Sequence, residues 1–285
     1  MAIQAAASPL SWKTVLTHVD SHPASAQRLE AAVALARRFD ALLMGMGAMA
    51  IEPIAIADAY GFSGMDATAL VVLREQAELQ LDQAKKRFGE AVGDLQAEWR
   101  TTYDRPASSL ARTARAADVI VAGFGSFKPA DSYHAANPAE VALIIRRPVL
   151  VAPENARPLQ AKQVVVAWKD SPESRGAVSA ALPLLLGAEE ILVVEICGKA
   201  DRDDAVFRTE DVAAGLRRHG LAARGKAIIG HDAEVAALLN QEAGLIAADL
   251  IVAGCYGRSR LNEWLFGGAT LDLLSAPERY LLLSH

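Results

Sequence analysis

A chain of 285 residues exceeds the ~100–200 usual for one domain, and its 52% hydrophobic content suits a packed core rather than a disordered chain. Lys and Arg number 29 against 34 Asp and Glu, a net charge of −5 that argues against a nucleic-acid partner, because such binding needs clustered positive charge. Split after Asn155, the two parts hold 15 basic against 17 acidic residues and 14 against 17, so neither is a basic module.

Met1 to Trp12 has no basic residue ahead of its short Ala-rich stretch, which makes a poor secretion signal. The longest apolar run, Ala41 to Ile51, is too short to cross a bilayer and ends at Glu52. The expectation is a cytoplasmic protein that does not enter membranes. Val15–Asp20 reads as a strand, followed by a helix with Leu29, Val33, Ala36 and Phe39 on one face. Leu42–Met46 is the next strand. A long helix then keeps three-four spacing through Leu70, Leu73, Ala77, Leu81, Ala84 and Phe88. Strand Ala97–Thr101, helix Pro106–Ala116, strand Val119–Gly123, a helix near Pro138–Ile145 and strand Val149–Ala152 complete the first half.

Pro153 to Gln160 is a short, proline-bearing join. The order then repeats, with strands Val164–Ala167, Ile191–Ile196, Arg224–Ile229, Leu250–Gly254 and Tyr280–Ser284. A helix after Gly230 opens with Asp232 and Glu234, which suit a positive helix N-terminus. Asp118-Val-Ile-Val-Ala-Gly123 and Asp249-Leu-Ile-Val-Ala-Gly254 differ at one apolar position, and each half also has an Asp-Ser pair after its first strand, Asp20-Ser21 and Asp170-Ser171. A repeat this long is a duplicated domain, with extra residues in the first copy around Ile51–Thr68. That segment, with its Tyr60-Gly-Phe-Ser-Gly64 core, suits a packing insertion or a lid.

Uninterrupted Val/Ile/Leu strands alternating with helices indicate parallel strands buried on both faces. The fold class expected is α/β: two doubly wound five-stranded parallel sheets, at residues 10–153 and 162–285. The closing strands Val149–Ala152 and Tyr280–Ser284 are apolar and would be exposed edges in isolated domains, so the halves are expected to pack as an intramolecular pseudo-dimer.

Doubly wound sheets take ligands at the carboxyl ends of their strands. In the second half those ends carry Asp170, Glu195 and Gly254, with Trp168 nearby. Gly254 and Gly257 permit positive φ and close backbone approach, and Arg258 adds charge. Gly267-Gly268-Ala269-Thr270 opens the final helix, whose free N–H groups suit an anion. The same glycines also serve simply to turn the chain from strand to helix. A strand-end carboxylate at Asp170, if buried, requires a hydrogen-bond donor, either from a ligand or from the protein.

Gly254-x2-Gly257-x9-Gly267, after a strand preceded by Asp249, resembles the nucleotide loop of the universal stress protein family, and Asp170 resembles that family's adenine-side aspartate. The resemblance covers nearly the whole chain as two copies. It implies a Rossmann-like, nucleotide-binding fold and a regulatory stress-response protein that binds ATP or another adenine nucleotide. The implied ligand residues are Asp170, Gly254, Gly257, Arg258, Gly267, Gly268, Ala269 and Thr270. Gly268 stands where ATP-binding members have Ser or Thr. The first half lacks a second glycine cluster after Gly123-Phe-Gly125-Ser126, has Lys128 and Pro129 in its early loop, and is expected to be degenerate. The resemblance also implies that the last strands meet in a dimer-like arrangement; a further homodimer stays open.

Alternatives are a protein- or small-ligand-interaction module that has given up nucleotide, and a slow ATPase. The chain offers neither an obvious general base nor a magnesium ligand, so no catalytic residue is assigned. No Walker loop or dinucleotide fingerprint occurs, and the six histidines lack zinc-site spacing, so no metal is expected. His18 lies near the end of strand one, where it would line a pocket or sit in the core. Cys197 and Cys255 fall at one end of the second sheet, as ordinary reduced thiols or in a redox or thiol-sensor role.

Overall fold

The computed structural model describes residues 10–21, 25–51, 67–123, 132–154, 157–255, 272–274 and 278–285. The first half contains β1 (Thr14–His18), α1 (Ser25–Phe39), β2 (Leu42–Ala48), α2 (Ala67–Val92), β3 (Ala97–Thr102), α3 (Pro106–Thr113), β4 (Val119–Gly123), α4 (Pro138–Ile144) and β5 (Val149–Ala152). The second contains β6 (Gln163–Ala167), α5 (Pro172–Leu185), β7 (Glu190–Cys197), α6 (Arg202–Arg218), β8 (Ala223–Ile229), α7 (Val235–Leu245), β9 (Leu250–Gly254) and β10 (Tyr280–Ser284).

Every strand expected from the sequence is present. The helix expected over Pro106–Ala116 is α-helical only to Thr113, and Ala114–Ala116 tighten into a 3-10 turn. Asp232–Glu234 likewise form a 3-10 turn ahead of α7. Part of the first half's extra length is helix, since α2 has 26 residues against 17 in its counterpart α6. The rest of the inserted segment, 52–66, lies outside the described residues.

All ten strands form one sheet in the order β3-β2-β1-β4-β5-β10-β9-β6-β7-β8. Neighbours are parallel throughout except at the centre, where β5 meets β10 antiparallel with Val149, Leu150 and Val151 opposite Leu283, Leu282 and Leu281. Those residues are at most 2% exposed, so the pairing removes two apolar edges from water. One face of the sheet packs α1, α5, α6 and the later turns of α2, with Leu150 and Leu282 in a single core that crosses the seam. The other face packs α3, α4 and α7 over Leu16, Ile120, Val165 and Ile251. Among the described residues no helix is long and apolar enough to cross a membrane.

The register aligns the halves residue by residue. Val15 lies opposite Leu43 and Val119, and Val164 opposite Ile191 and Leu250, so Val15 and Val164 are equivalent. The repeated aspartates do the same work in both halves. Asp118 accepts hydrogen bonds from the Lys13 and Thr14 amides at 2.6 and 3.0 Å, and Asp249 from the Gln160 and Ala161 amides at 2.7 and 3.0 Å. Each carboxylate therefore pins the chain as it enters the first strand of its half. Ala161 adopts φ +50°, a left-handed conformation that Asp249 helps to hold.

The outer edges are charged. Glu98 and Arg100 pair on β3, while on β8 Arg224 binds Glu190 and Lys226 binds the buried Glu242.

Asp249→Ala leaves two strand-entry amides without their acceptor and is expected to lower stability by about 1–3 kcal/mol in urea unfolding. Asp118→Ala should cost a similar amount.

Candidate functional site

In the second half, β7 and β8 build to one side of β6, and β9 and β10 to the other. The strand order therefore reverses between β6 and β9, where a doubly wound sheet opens its crevice at the strand ends. Ala167 pairs with Ala253 there, so Lys169 and Asp170 leave β6 beside Gly254. Ser171 caps α5 by accepting from the Ser174 amide, and Pro172 occupies the first helical turn.

Asp170 is not a desolvated carboxylate. It is exposed and ion-paired with Arg175, one turn along α5. Nor is it the counterpart of Asp20: the Asp20 amide donates to Ser25 Oγ, and the Lys169 amide to Ser174 Oγ, so the register sets Lys169 in the place of Asp20. Gly254 does not take positive φ. A side chain there would bring Cβ to 2.6 Å from the backbone of Glu173 and Ser174, so its glycine admits the start of α5. Gly257, Arg258, Gly267, Gly268, Ala269 and Thr270 lie outside the described residues, as do Gly125, Ser126, Lys128 and Pro129 of the first half.

Glu195 is already occupied. Arg208 binds its buried carboxylate through Nε at 3.1 Å and Nη2 at 2.6 Å, and also holds Asp201 at 2.7 Å. These bonds, to Glu195 first and then Asp201, raise the Arg208 pKa and fix the start of α6 against β7. Trp168 packs against the core with its Nε1 buried and without a hydrogen-bond partner among the described residues. Both thiols are buried, and desolvation raises their pKa, that of Cys255 to about 12. Such thiols carry little thiolate at neutral pH, which disfavours a redox or thiol-sensor role.

The corresponding place in the first half is built differently. Asp20 is buried, and its Oδ2 lies 2.8 Å from Arg28 Nη2 and 2.9 Å from His18 Nδ1. Arg28 is itself only 2% exposed; its Nε donates to the His18 carbonyl at 2.7 Å and its Nη2 to Ser25 Oγ at 3.0 Å. His18 Nε2 meets the Ala48 carbonyl at 3.2 Å, and Arg87 donates to the Asp20 carbonyl at 2.9 Å. In the second half the equivalents of His18, Asp20 and Arg28 are Ala167, Lys169 and Ala177. The three charged or titratable members of the cluster have been exchanged, while Ser25 is retained as Ser174. Sequence reading missed Arg28, although an arginine on the stripe Ser25-Arg28-Ala32-Leu35, which faces the core, is a signal that a buried acid waits for it.

Among solved structures, a universal stress protein from Archaeoglobus fulgidus DSM 4304 superposes with a TM-score of 0.69, over 95% of this chain and 97% of that one, at 14% identity. The fold is that of the universal stress proteins. A putative universal stress protein from Pseudomonas aeruginosa UCBPP-PA14 gives 0.62 over 96% and 94% at 15% identity. A functionally unknown protein from Pseudomonas aeruginosa PAO1 gives 0.61 over 96% and 93% at 14% identity. The matches extend over both halves, so the tandem arrangement is shared as well. No protein-family model and no curated protein sequence matches the chain.

Arg28→Met takes the buried guanidinium away from the buried carboxylate of Asp20 and is expected to cost about 3 kcal/mol in chemical unfolding. Neither cysteine should react with a maleimide at pH 7.5 until denaturant is added. Because its folded pKa is raised, Cys255 contributes stability that is fully present below pH 9 and lost as the pH rises through about 12. Cys255→Ala should flatten that part of the stability profile in thermal melts.

Proposed function

We propose that the chain is a tandem universal stress protein, with functional units at 10–153 and 162–285, that binds one adenine nucleotide such as ATP or AMP in its second half. Its role is regulatory, in a stress response, rather than catalytic. The observation that carries this reading is the contrast between the two strand-end crevices. In the first half, Arg28 and His18 already occupy the strand-end carboxylate of Asp20. In the second, the same place holds Lys169, exposed and without an ion pair among the described residues, at the β6–β9 reversal where the segment Gly254–Gly257 begins. A cation there, with Arg258 further along, favours the phosphates of a nucleotide, which the amides of Gly267, Gly268, Ala269 and Thr270 would cradle.

A second reading, an interaction module without nucleotide, draws on the Asp170–Arg175 pair, which satisfies the aspartate without any ligand. Calorimetry of the intact chain with ATP, ADP and AMP separates the two. Saturable binding of one nucleotide per chain is expected, with Lys169→Glu weakening it about tenfold and Gly257→Asp abolishing the melting shift. No saturable binding by any of the three overturns the nucleotide reading.

A further inference from the structure

A groove of about 480 Å³ lies where the carboxyl ends of α1 and α5 approach each other, lined by Leu10, Lys13, Arg38, Phe39, Pro183 and Leu186, with Ser11 and Asp40 beside them. It belongs to neither strand-end crevice, because it is made from residues of both halves at the far ends of those helices. Its walls are apolar: Leu10 and Leu186 are each 41% exposed, and Phe39 and Pro183 are partly covered. Its charged side chains are Arg38 and Lys13, set against the one carboxylate of Asp40. Arg38 donates from Nη1 to the Gln160 carbonyl at 2.9 Å and lies over the Phe39 ring at 5.6 Å, and no carboxylate pairs with it among the described residues. Lys13 has no ion-pair partner among the described residues either, since Asp118 is engaged by its amide.

The duplication has lost its symmetry at this spot. Counted from the equivalent serines Ser25 and Ser174, Gly187 occupies the position of Arg38. A Cβ on Gly187 would lie 3.0 Å from Arg38 Nη2, so the guanidinium passes close over the bare glycine backbone. Two facing arginines would repel one another; one arginine over a glycine leaves a single cation with spare donors. Desolvation lowers the Arg38 pKa, opposed by the negative charge of Asp249.

The geometry points to a binding site for a small amphipathic carboxylate, its headgroup on Arg38 and Lys13 and its apolar body along Leu10, Phe39, Pro183 and Leu186. The planar guanidinium fork matches a carboxylate, and a bare inorganic anion would leave the apolar walls uncovered. The site is independent of the nucleotide reading.

The test is calorimetry of the intact chain with octanoate, and with octanol as the uncharged counterpart. Octanoate is expected to saturate at one per chain below about 1 mM, with octanol at least about tenfold weaker. Arg38→Gln should weaken octanoate about tenfold, and Leu186→Asp, at an exposed position, should remove binding while the melting midpoint stays close to that of the unaltered chain. Saturating ATP should leave the octanoate isotherm unchanged. Failure of octanoate to saturate, equal binding of octanol, or indifference to both substitutions overturns the site. None of these outcomes bears on whether ATP binds.

Discussion

The antiparallel meeting of β5 and β10 is the constraint on which the rest of the molecule depends. Each half alone would be a five-stranded sheet ending in an apolar strand, with a row of unpaired amides and carbonyls beside it. Joining those strands satisfies both rows and brings the cores under α1 and α5 into one apolar layer. The linker needs only to carry the chain from the end of β5 to the start of β6, and Asp249 fastens its final residues. The seam also reverses direction, so the strand-end crevices of the two halves leave it in opposite senses and remain separate places.

Within that frame the two copies have diverged selectively. What supports the backbone has been kept: the aspartates before β4 and β9, the serines that receive the Asp20 and Lys169 amides, and the near-continuous burial of those two central strands. What surrounds the crevices has not. A buried histidine, aspartate and arginine in one copy correspond to alanine, lysine and alanine in the other. These exchanges are coupled, because a buried guanidinium needs the carboxylate, and a carboxylate left alone in that position would be strongly destabilising.

The fold was legible because its signals are local and repeated. Runs such as Val119–Gly123 and Leu250–Gly254 are buried on both faces and read directly as central parallel strands, and the apolar closing strands announced the seam. The site was less legible, for identifiable reasons. Asp20-Ser21 and Asp170-Ser171 look like one motif in letters, but hydrogen-bond register shifts them by a residue, and only the paired strands reveal that Lys169 answers Asp20. Gly254 looks like a phosphate-loop glycine, while its absent side chain admits the backbone of α5. Arg28 passes as a surface charge on an amphipathic helix until its partner is found eight residues earlier.

The outermost strands decide where the sheet stops. On β3 the charges of Glu98 and Arg100 are matched on the strand itself, and on β8 Arg224 and Lys226 are tied back to Glu190 and Glu242. A strand arriving at either margin would have to displace these ion pairs and desolvate their charges before gaining its backbone hydrogen bonds. The duplicated chain pairs the two apolar margins of its halves with each other and keeps charged strands for its outer edges. What two separate copies could achieve only by meeting, one polypeptide achieves through its own connectivity.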